Sequence, residues 1–477
     1  MISAPLKTTG CVSISLLVLL AALLYRRHSE EILKERLNQV LSGLLRAEKK
    51  VPAAPKRVAL GFGGCEDVFV EAMDIFQRLN LTPPASPRHY DSVKNGQELA
   101  ELLAFFFQHG AAAERYVANK TLFEEIVKSA ESSPKHRWHL GGNAPAMVLR
   151  LAKEGLDVML SARLTQDIVD RLPKEVKVVG QTLQKTDIHV LMEYEKDTVW
   201  GQYIAPRANR LIVHSDEVNP YLQSLEEFSE NLNRFKPHLV VVGGLQMMDN
   251  FPFKKGERWA RLQILQSTLK DLPLSTKVHF EMASFTDVDL LKEILETVIF
   301  YSDSLGMNEQ ELPNLVSLLE TGNVTVIADS NPRVATVLDQ MRTVYAYLRQ
   351  TVETGGKRKL TRLHIHTLAF QAILTSKASS WKNTMSAAAK AALTAHRHVC
   401  GSDYIDLMKT KILMDESFSS SRDEKSRRIN FIDERPVNCW EEDDYIICVA
   451  PGLVCTHVKQ TGGGGDNISA AGLVLQL

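Results

Sequence analysis

A largely parallel α/β sheet covered on both faces, with a smaller lid interleaved in it, is the fold class this sequence predicts. Three observations predict it. Short apolar, β-rich runs recur along the chain: RVALGF at 57, LDVML at 156, LVVVGG at 239, KVHFEM at 277, NVTVIAD at 323, RLHIHT at 361 and YIICVA at 445. Helical patterns separate them, as from Asp287 to Ile299, and this strand–helix rhythm builds a parallel sheet between two helical layers. Two stretches break the rhythm. The segment 82–135 follows a Pro-rich TPPASP turn and contains a helical AELLAFFFQHGAAAERY, while DIHVLMEYE at 187 and NRLIVHS at 209 alternate like strands with one wet face. These are read as the lid, spanning 82–135 and 184–216.

Composition narrows the function classes. With 477 residues, 44% hydrophobic and 24% charged, the chain is globular and neither collagen-like, coiled-coil nor wholly disordered. Fifty-six Lys plus Arg against 57 Asp plus Glu leave a net charge of -1, so no basic field exists to attract nucleic acid. None of the 6 cysteines forms a C-x-x-C pair. Cys400, Cys439, Cys448 and Cys455 cluster near the carboxyl end, which leaves one bridge open in an oxidising compartment, with buried free thiols as the alternative.

From the amino end, Lys7 precedes the uncharged run VSISLLVLLAALLY at 12–25, which Arg26 and Arg27 close. The run is short for a spanning helix and matches a signal-peptide apolar region, so residues 1–28 read as a signal peptide or an uncleaved signal anchor. The basic pair behind it pulls toward a cytosolic carboxyl side, so orientation stays open. Ser29 fits a helix cap with Glu30 and Glu31 in the first turn, and Leu33, Leu37, Val40, Leu41, Leu44 and Leu45 form an apolar stripe at helical spacing. VPAAPK at 51–56 breaks that pattern. Residues 29–56 are thus an amphipathic helix and linker, and residues 57–477 the globular unit.

Further along, DESFSSSRDEKSRRINFIDERP at 415–436 replaces apolar residues with Ser and both signs of charge and reads as a mobile loop. No repeat of roughly 20 to 50 residues occurs, which excludes solenoids and propellers. The chain ends in QTGGGGDNISAAGLVLQL, where a glycine run leads into Asp466 and a short helix built on Ile468, Leu473 and Val474. Glycines let backbone N–H groups converge, and a helix amino terminus adds roughly half a positive charge. Such a turn holds a developing phosphate oxyanion while the adjacent carboxylate accepts a proton, which suits phosphoryl transfer to a hydroxyl. The tail alone leaves open a flexible glycine connector with Asp466 as a plain helix cap. Other nucleotide signatures are missing: Gly356-Lys357 lacks Walker spacing, GFGGCE at 61 fails G-x-G-x-x-G at its last position, and no H-R-D or D-F-G set occurs.

GGNA at 141, HFE at 279, NEQE at 308 and GGGGD at 462 follow one another along the chain, accompanied by AAAER at 111, EYE at 193, APRANR at 205, LGMNEQE at 305 and HIHTL at 364. Together they resemble the ADP-dependent sugar kinases, in particular the animal ADP-dependent glucokinases, whose G-x-G-D, H-x-E and N-x-x-E motifs they match in order from about residue 57 to the end. The resemblance implies a ribokinase-like fold with a large αβα domain and a closing lid. It implies transfer of the β-phosphoryl group of ADP to the 6-hydroxyl of glucose, giving glucose 6-phosphate and AMP in glycolysis. It also implies glucose and ADP as partners and, together with the apolar run at 12–25, residence in the endoplasmic reticulum lumen or at its membrane, with secretion as a further outcome; a monomer is expected.

Carried onto this chain, the resemblance makes Asp466 the base and the backbone of Gly463, Gly464 and Gly465 the anion hole. Glu281, Glu311 and Asp466 would surround one Mg2+ held largely through water, since magnesium takes oxygen ligands and keeps several waters. Arg210 would meet the nucleotide phosphates from the lid, with Asn308 and His366 beside the nucleotide. Asp67, Glu114, Gly141, Gly142, Asn143 and His189 would surround glucose, supplying the paired donors and acceptors that hydroxyls need. Seen alone, His189 reads as a half-buried strand histidine, and His364 with His366, on one strand face, as structural or nucleotide-pocket residues.

Two departures bear on turnover. Phe62-Gly63-Gly64-Cys65-Glu66-Asp67 places an extra acid beside the sugar carboxylate, which is expected to weaken sugar affinity or raise one pKa, and an all-glycine turn loosens the anion hole. These motivate a second reading, a membrane-associated nucleotide-binding protein on a kinase fold with little or no turnover. A related ADP-dependent phosphofructokinase is a third, and calls for more basic residues at the sugar site than the sequence supplies.

Overall fold

The computed structural model describes residues 4–48, 56–325, 328–350 and 357–477, with side chains from residue 15 onward. Its large sheet runs Asn438–Glu442, Tyr445–Pro451, Phe370–Ser376, Arg362–His366, Ser304–Asn308, Lys277–Glu281, Leu239–Val242, Arg57–Gly61, Asp157–Ser161 and Val176–Val179. From Arg362–His366 to Val176–Val179 all neighbours are parallel, and the first three strands join antiparallel. A strand covered on both faces must be apolar at consecutive positions, and Leu239–Val242, LVVV, is buried throughout. Its residues serve the two layers in alternation. Val240 and Val242 pack with Phe228 and Leu262 of the helices Leu225–Phe235 and Glu257–Lys270. Leu239 and Val241 pack with Met147 of Asn143–Lys153 and Leu473 of Gly464–Val474.

Six of the expected strands lie in this sheet. NVTVIAD does not: residues 323–325, 328 and 329 form no strand, and 326–327 lie outside the described residues. Its slot is filled by Ser304–Asn308, which pairs directly with Lys277–Glu281 on one side and Arg362–His366 on the other, so no edge remains for another strand there.

The lid is a second sheet, ordered Ser92–Val93, Ala113–Val117, Asn209–His214, Ile188–Tyr194, Cys65–Glu71 and Arg137–Gly141. The last two strands fall outside the 82–135 and 184–216 read from sequence. They belong to the lid because Asp67 pairs with His189 and Cys65 with Gly141, continuing the ladder. AELLAFFFQHGAAAERY is helical only in its first half. Helix Gly96–His109 stops at Gly110, whose φ of 58° takes the left-handed conformation that ends helices, and the chain continues as strand Ala113–Val117. Glu114 therefore stands on a strand.

At the amino end Ala4–Ala47 is one helix of 44 residues, so Ser29 is interior and caps nothing. Arg26–Glu30 and Arg27–Glu31 pairs stitch the join between the apolar run and the amphipathic part. Leu37, Val40 and Leu44 dock on helix Thr384–Val399, and Glu48 accepts from Lys390 and Arg397 beside them. Leu16, Leu17, Leu20 and Tyr25 are exposed. Among the described residues no helix is long and apolar enough to cross a membrane. The break at VPAAP, 51–55, lies outside them.

The 415–436 segment is anchored, not free. Ser417–Ser419 pairs antiparallel with Arg428–Asn430, and buried Phe418 and Ile429 pin the pair to the core. Two disulfides, Cys400–Cys455 and Cys439–Cys448, join the four carboxyl-terminal cysteines where the sequence left one open.

Candidate active site

The carboxyl ends of the parallel strands face the inner side of the lid across a cleft of about 380 Å³, and every residue that the family resemblance assigns lines it. At its centre, Gly463 caps helix Gly464–Val474 with φ 67°, a conformation only glycine adopts freely, and Asp466 sits in the first turn. The helix is buried from Ile468 to Val474, so it is a core element. Asn143, which opens helix Asn143–Lys153, donates through Nδ2 to Asp466 Oδ1 at 2.9 Å. Two helix amino termini therefore meet at this carboxylate, and their partial positive charges favour an anion there. Burial, and then the charge of Glu281, push Asp466 up to about 7 against the lowering effect of the Asn143 bond. A carboxyl poised near neutrality is matched to taking a proton.

Glu281 ends strand Lys277–Glu281 and is 3% exposed. Burial would raise its pKa, but contacts from His279 Nε2 at 2.9 Å and His366 Nε2 at 3.5 Å outweigh it and hold the carboxylate at about 2. His279, lowered by burial, is neutral, and its Nδ1 accepts from Ser304 Oγ at 2.8 Å. Glu311 opens helix Glu311–Thr321, and Asn308 donates to both of its oxygens, from the backbone N–H at 2.8 Å and from Nδ2 at 2.7 Å. In return Asn308 Oδ1 accepts from the Glu311 N–H at 3.0 Å, a reciprocal cap that commits Asn308 to positioning Glu311. Burial, joined by the charges of Glu281, Glu309 and Asp466, lifts Glu311 well above the carboxylate range.

These three carboxylates fit a hard divalent cation. All are oxygen donors, one is firmly ionised, and the other two are pushed toward protonation partly by their mutual charge, an excess that Mg2+ would relieve. The oxygens of Glu281 and Glu311 already accept hydrogen bonds, which favours contact through water over a direct cage. Tighter groupings of ligand-type atoms occur at the sugar end, in Cys65–Asp67–His189 and His189–His214–Asp216.

That end is built on the lid. A Cβ at Gly141 would lie 1.9 Å from Asp67 Oδ1, and one at Gly142, φ 94°, would lie 1.9 Å from the Gly63 carbonyl, so both glycines are required by close approach. Burial pushes Asp67 up to about 6, opposed by His189. Glu66 does not join it in the cleft: adjacent strand residues face opposite ways, and Glu66 pairs with Arg171 at 3.6 Å instead. The expected crowding of two acids at the sugar is therefore corrected. His189 Nε2 lies 2.9 Å from Asp216 Oδ1 and its Nδ1 3.5 Å from Glu114. Burial pulls His189 down, yet Asp216 prevails and raises it to about 10, making it a cationic donor.

Several participants escaped the sequence reading. Asp216 is fully enclosed, accepting also from Asn219 Nδ2 at 2.8 Å, but in HSDEVNP it looks like an ordinary polar turn. Gln246 donates to Asn143 Oδ1 at 2.6 Å and reaches Glu114 at 3.5 Å; the signal for it was the glycine pair ending LVVVGG, whose Gly244 turns at φ 73°. His398 Nε2 meets the Gly462 carbonyl at 2.8 Å, a contact between residues 64 positions apart. At the phosphate end, Arg210 lines the cleft with its Nε buried and without a partner, so a cation faces the space beside the glycine turn. His366 packs on Gly465, whose Cβ would lie 2.9 Å from it. His364 is a core residue, held neutral by burial and near Gln371 at 3.3 Å.

Comparison with known proteins identifies the family and the fold. The region described as "ADP-specific Phosphofructokinase/Glucokinase conserved region" matches residues 56–475. An "ADP-dependent glucokinase" of Bos taurus is 32% identical over 424 residues, covering 88% of this chain and 84% of that protein. A "Probable ADP-dependent glucokinase" of Caenorhabditis elegans is 27% identical over 446 residues, covering 90% and 87%. Among solved structures, an ADP-dependent kinase in complex with fructose-6-phosphate and ADPbetaS aligns with a TM-score of 0.65 at 17% identity, over 92% of this chain and 97% of that one. A hypothetical ADP-dependent phosphofructokinase from Pyrococcus horikoshii OT3 aligns with a TM-score of 0.60 at 17% identity, over 89% and 98%. The structural likeness establishes the fold, a large αβα domain with a lid. By the match over residues 56–475 and its bovine relative, the chain belongs to the ADP-specific phosphofructokinase/glucokinase family.

Proposed function

We propose that the protein phosphorylates D-glucose at its 6-hydroxyl with ADP as donor, releasing glucose 6-phosphate and AMP. The observation that carries this reading is Asp466, a carboxyl near neutrality placed where two helix amino termini meet, between the sugar end and the phosphate end of one cleft. Asp466 takes the hydroxyl proton as the β-phosphoryl group transfers. The N–H groups of Gly463 to Gly465 and the helix end hold the charge that gathers on its oxygens. Arg210, carried by the lid, meets the diphosphate when the cleft closes and helps exclude water. Mg2+, when bound, supplies charge neutralisation on the diphosphate, and Glu281, Glu311 and Asp466 are the residues that would hold its water shell. The cleft is complete within one chain, which supports a monomeric enzyme.

Acceptor choice follows from the sugar end. Asp67 and Glu114 accept from sugar hydroxyls, and His189 and Asn143 donate. Arg210 is the one Lys or Arg in the cleft lining among the described residues, and it faces the phosphate end. A sugar end lined by acids favours an uncharged hexose over fructose 6-phosphate. The test offers ADP and magnesium with glucose, glucosamine or fructose 6-phosphate and measures AMP release. Turnover with glucose and none with fructose 6-phosphate is expected; the reverse order discards the acceptor, and nucleotide binding without AMP release from any acceptor establishes the non-catalytic reading.

The apolar 12–25 run and the two disulfides support residence in the endoplasmic reticulum lumen or at its membrane, since disulfides persist in oxidising compartments. Protease added to sealed microsomes should leave the globular unit intact. Its digestion without detergent contradicts this location.

A further inference from the structure

We infer that Glu193 of the lid is a positioning residue for the anion-hole turn, so that lid closure itself assembles the site; the inference rests on the phosphoryl-transfer reading above. Residues 459–462, just before Gly463, are wedged between lid and large domain. From the lid, the Glu193 carboxylate accepts from the Thr461 backbone N–H at 2.9 Å and from its hydroxyl at 2.7 Å. Arg137 donates to the second Glu193 oxygen at 2.9 Å and to the Lys459 carbonyl at 3.1 Å. Phe69 and Leu191 press on Gly462 so closely that a Cβ there would lie 2.9 Å from each. From the large domain, His398 Nε2 lies 2.8 Å from the Gly462 carbonyl, and Gln460 Nε2 donates to the same ring at 3.1 Å.

A run of four glycines has little rigidity of its own, and its ordering costs more conformational entropy than that of other residues. The turn must therefore be held from outside, and charge-assisted bonds from Glu193 do so within two residues of Gly463. Glu193 also stands directly opposite Arg210 on the neighbouring lid strand. The closure that delivers Arg210 to the phosphates thus delivers Glu193 to Thr461. Rate and lid position are coupled through one strand pair, and the all-glycine turn keeps its preorganisation only in the closed form.

The test compares Glu193→Ala, Glu193→Gln and Thr461→Val in steady-state kinetics and amide hydrogen exchange. Glu193→Ala should lower kcat on the order of 10-fold, because small misplacements of reacting groups are costly, while KM for glucose stays within about twofold. Glu193→Gln keeps an acceptor for Thr461 and should recover most of the loss. Thr461→Val, which removes only the hydroxyl bond, should show the same pattern more weakly and serves if Glu193→Ala fails to fold. Amides of residues 461–466 should exchange roughly 10-fold faster in Glu193→Ala than in wild type when both are saturated with glucose and AMP, which close the lid without turnover. Unchanged kcat and exchange, or a loss confined to KM and not relieved by Gln, overturns the inference. An inactive wild type would count against the proposed reaction alone, and the exchange data would still decide the latch.

Discussion

Replacing Asp466 by Asn keeps the shape of the catalytic turn and removes its proton acceptor. A positioned base contributes about 10²- to 10⁴-fold, so kcat should fall by that range, roughly 3 to 5 kcal/mol of barrier. Stability should move the other way. The folded state raises the carboxyl from its ordinary 3.8 to about 7, so folding holds a proton that the unfolded chain releases. Stability from this group is therefore present below about pH 4 and lost as pH rises through 7, by up to roughly 4 kcal/mol at 1.36 kcal/mol per pH unit. Asn carries no such penalty. At pH 8 the variant should melt higher than wild type, and the difference should vanish toward pH 4. Coupled detection of glucose 6-phosphate gives kcat, and calorimetric melting across pH gives stability. Wild-type kcat in Asp466→Asn refutes the base assignment; lost activity with a lower Tm at pH 8 refutes the electrostatic account and points to misfolding instead.

Other perturbations separate the two ends of the cleft. Gly141→Ala places a methyl where Asp67 Oδ1 now stands, and calorimetry should show glucose affinity falling at least about 10-fold with ADP affinity retained. Asp216→Asn breaks a buried charge pair and should cost roughly 3 to 5 kcal/mol in denaturant melts. In the wild type, the stability from His189, raised to about 10, is complete below its ordinary 6.5 and lost as pH climbs through 10; that slope should disappear in Asp216→Asn. A chain starting at residue 29 should melt like the full protein. One starting at residue 49 loses Leu37, Val40 and Leu44, each worth about 1.5 to 3 kcal/mol when buried, and should melt several degrees lower.

Much of this molecule is legible from its sequence where burial on both faces leaves consecutive apolar residues, as in LVVV at 239. Ser304–Asn308 hid because a glycine and polar ends mask a strand whose neighbours supply the pairing, while NVTVIAD had the pattern and no free edge. Lid boundaries were set by long-range ladders such as Asp67 with His189, which no local window contains. The site followed the same division. Motif residues with distinctive chemistry, Asp466, Glu281 and Glu311, could be named in advance, and the glycines at 141 and 142 were named without the clashes that require them. Asp216, Gln246 and His398 could not, because each acts only through a partner distant in the chain. Glu66 shows the opposite error: adjacency in sequence counted as adjacency in space, although a strand turns neighbours to opposite faces.

The central claim is that this cleft moves a phosphoryl group from ADP to glucose under Asp466. Phosphorus NMR of one mixture of protein, magnesium, ADP and glucose follows donor and product together. Equal growth of AMP and glucose 6-phosphate signals, absent when ATP alone replaces ADP, is the predicted result. Glucose 6-phosphate formed from ATP with ADP as by-product, or a spectrum unchanged while calorimetry shows both ligands bound, would contradict it.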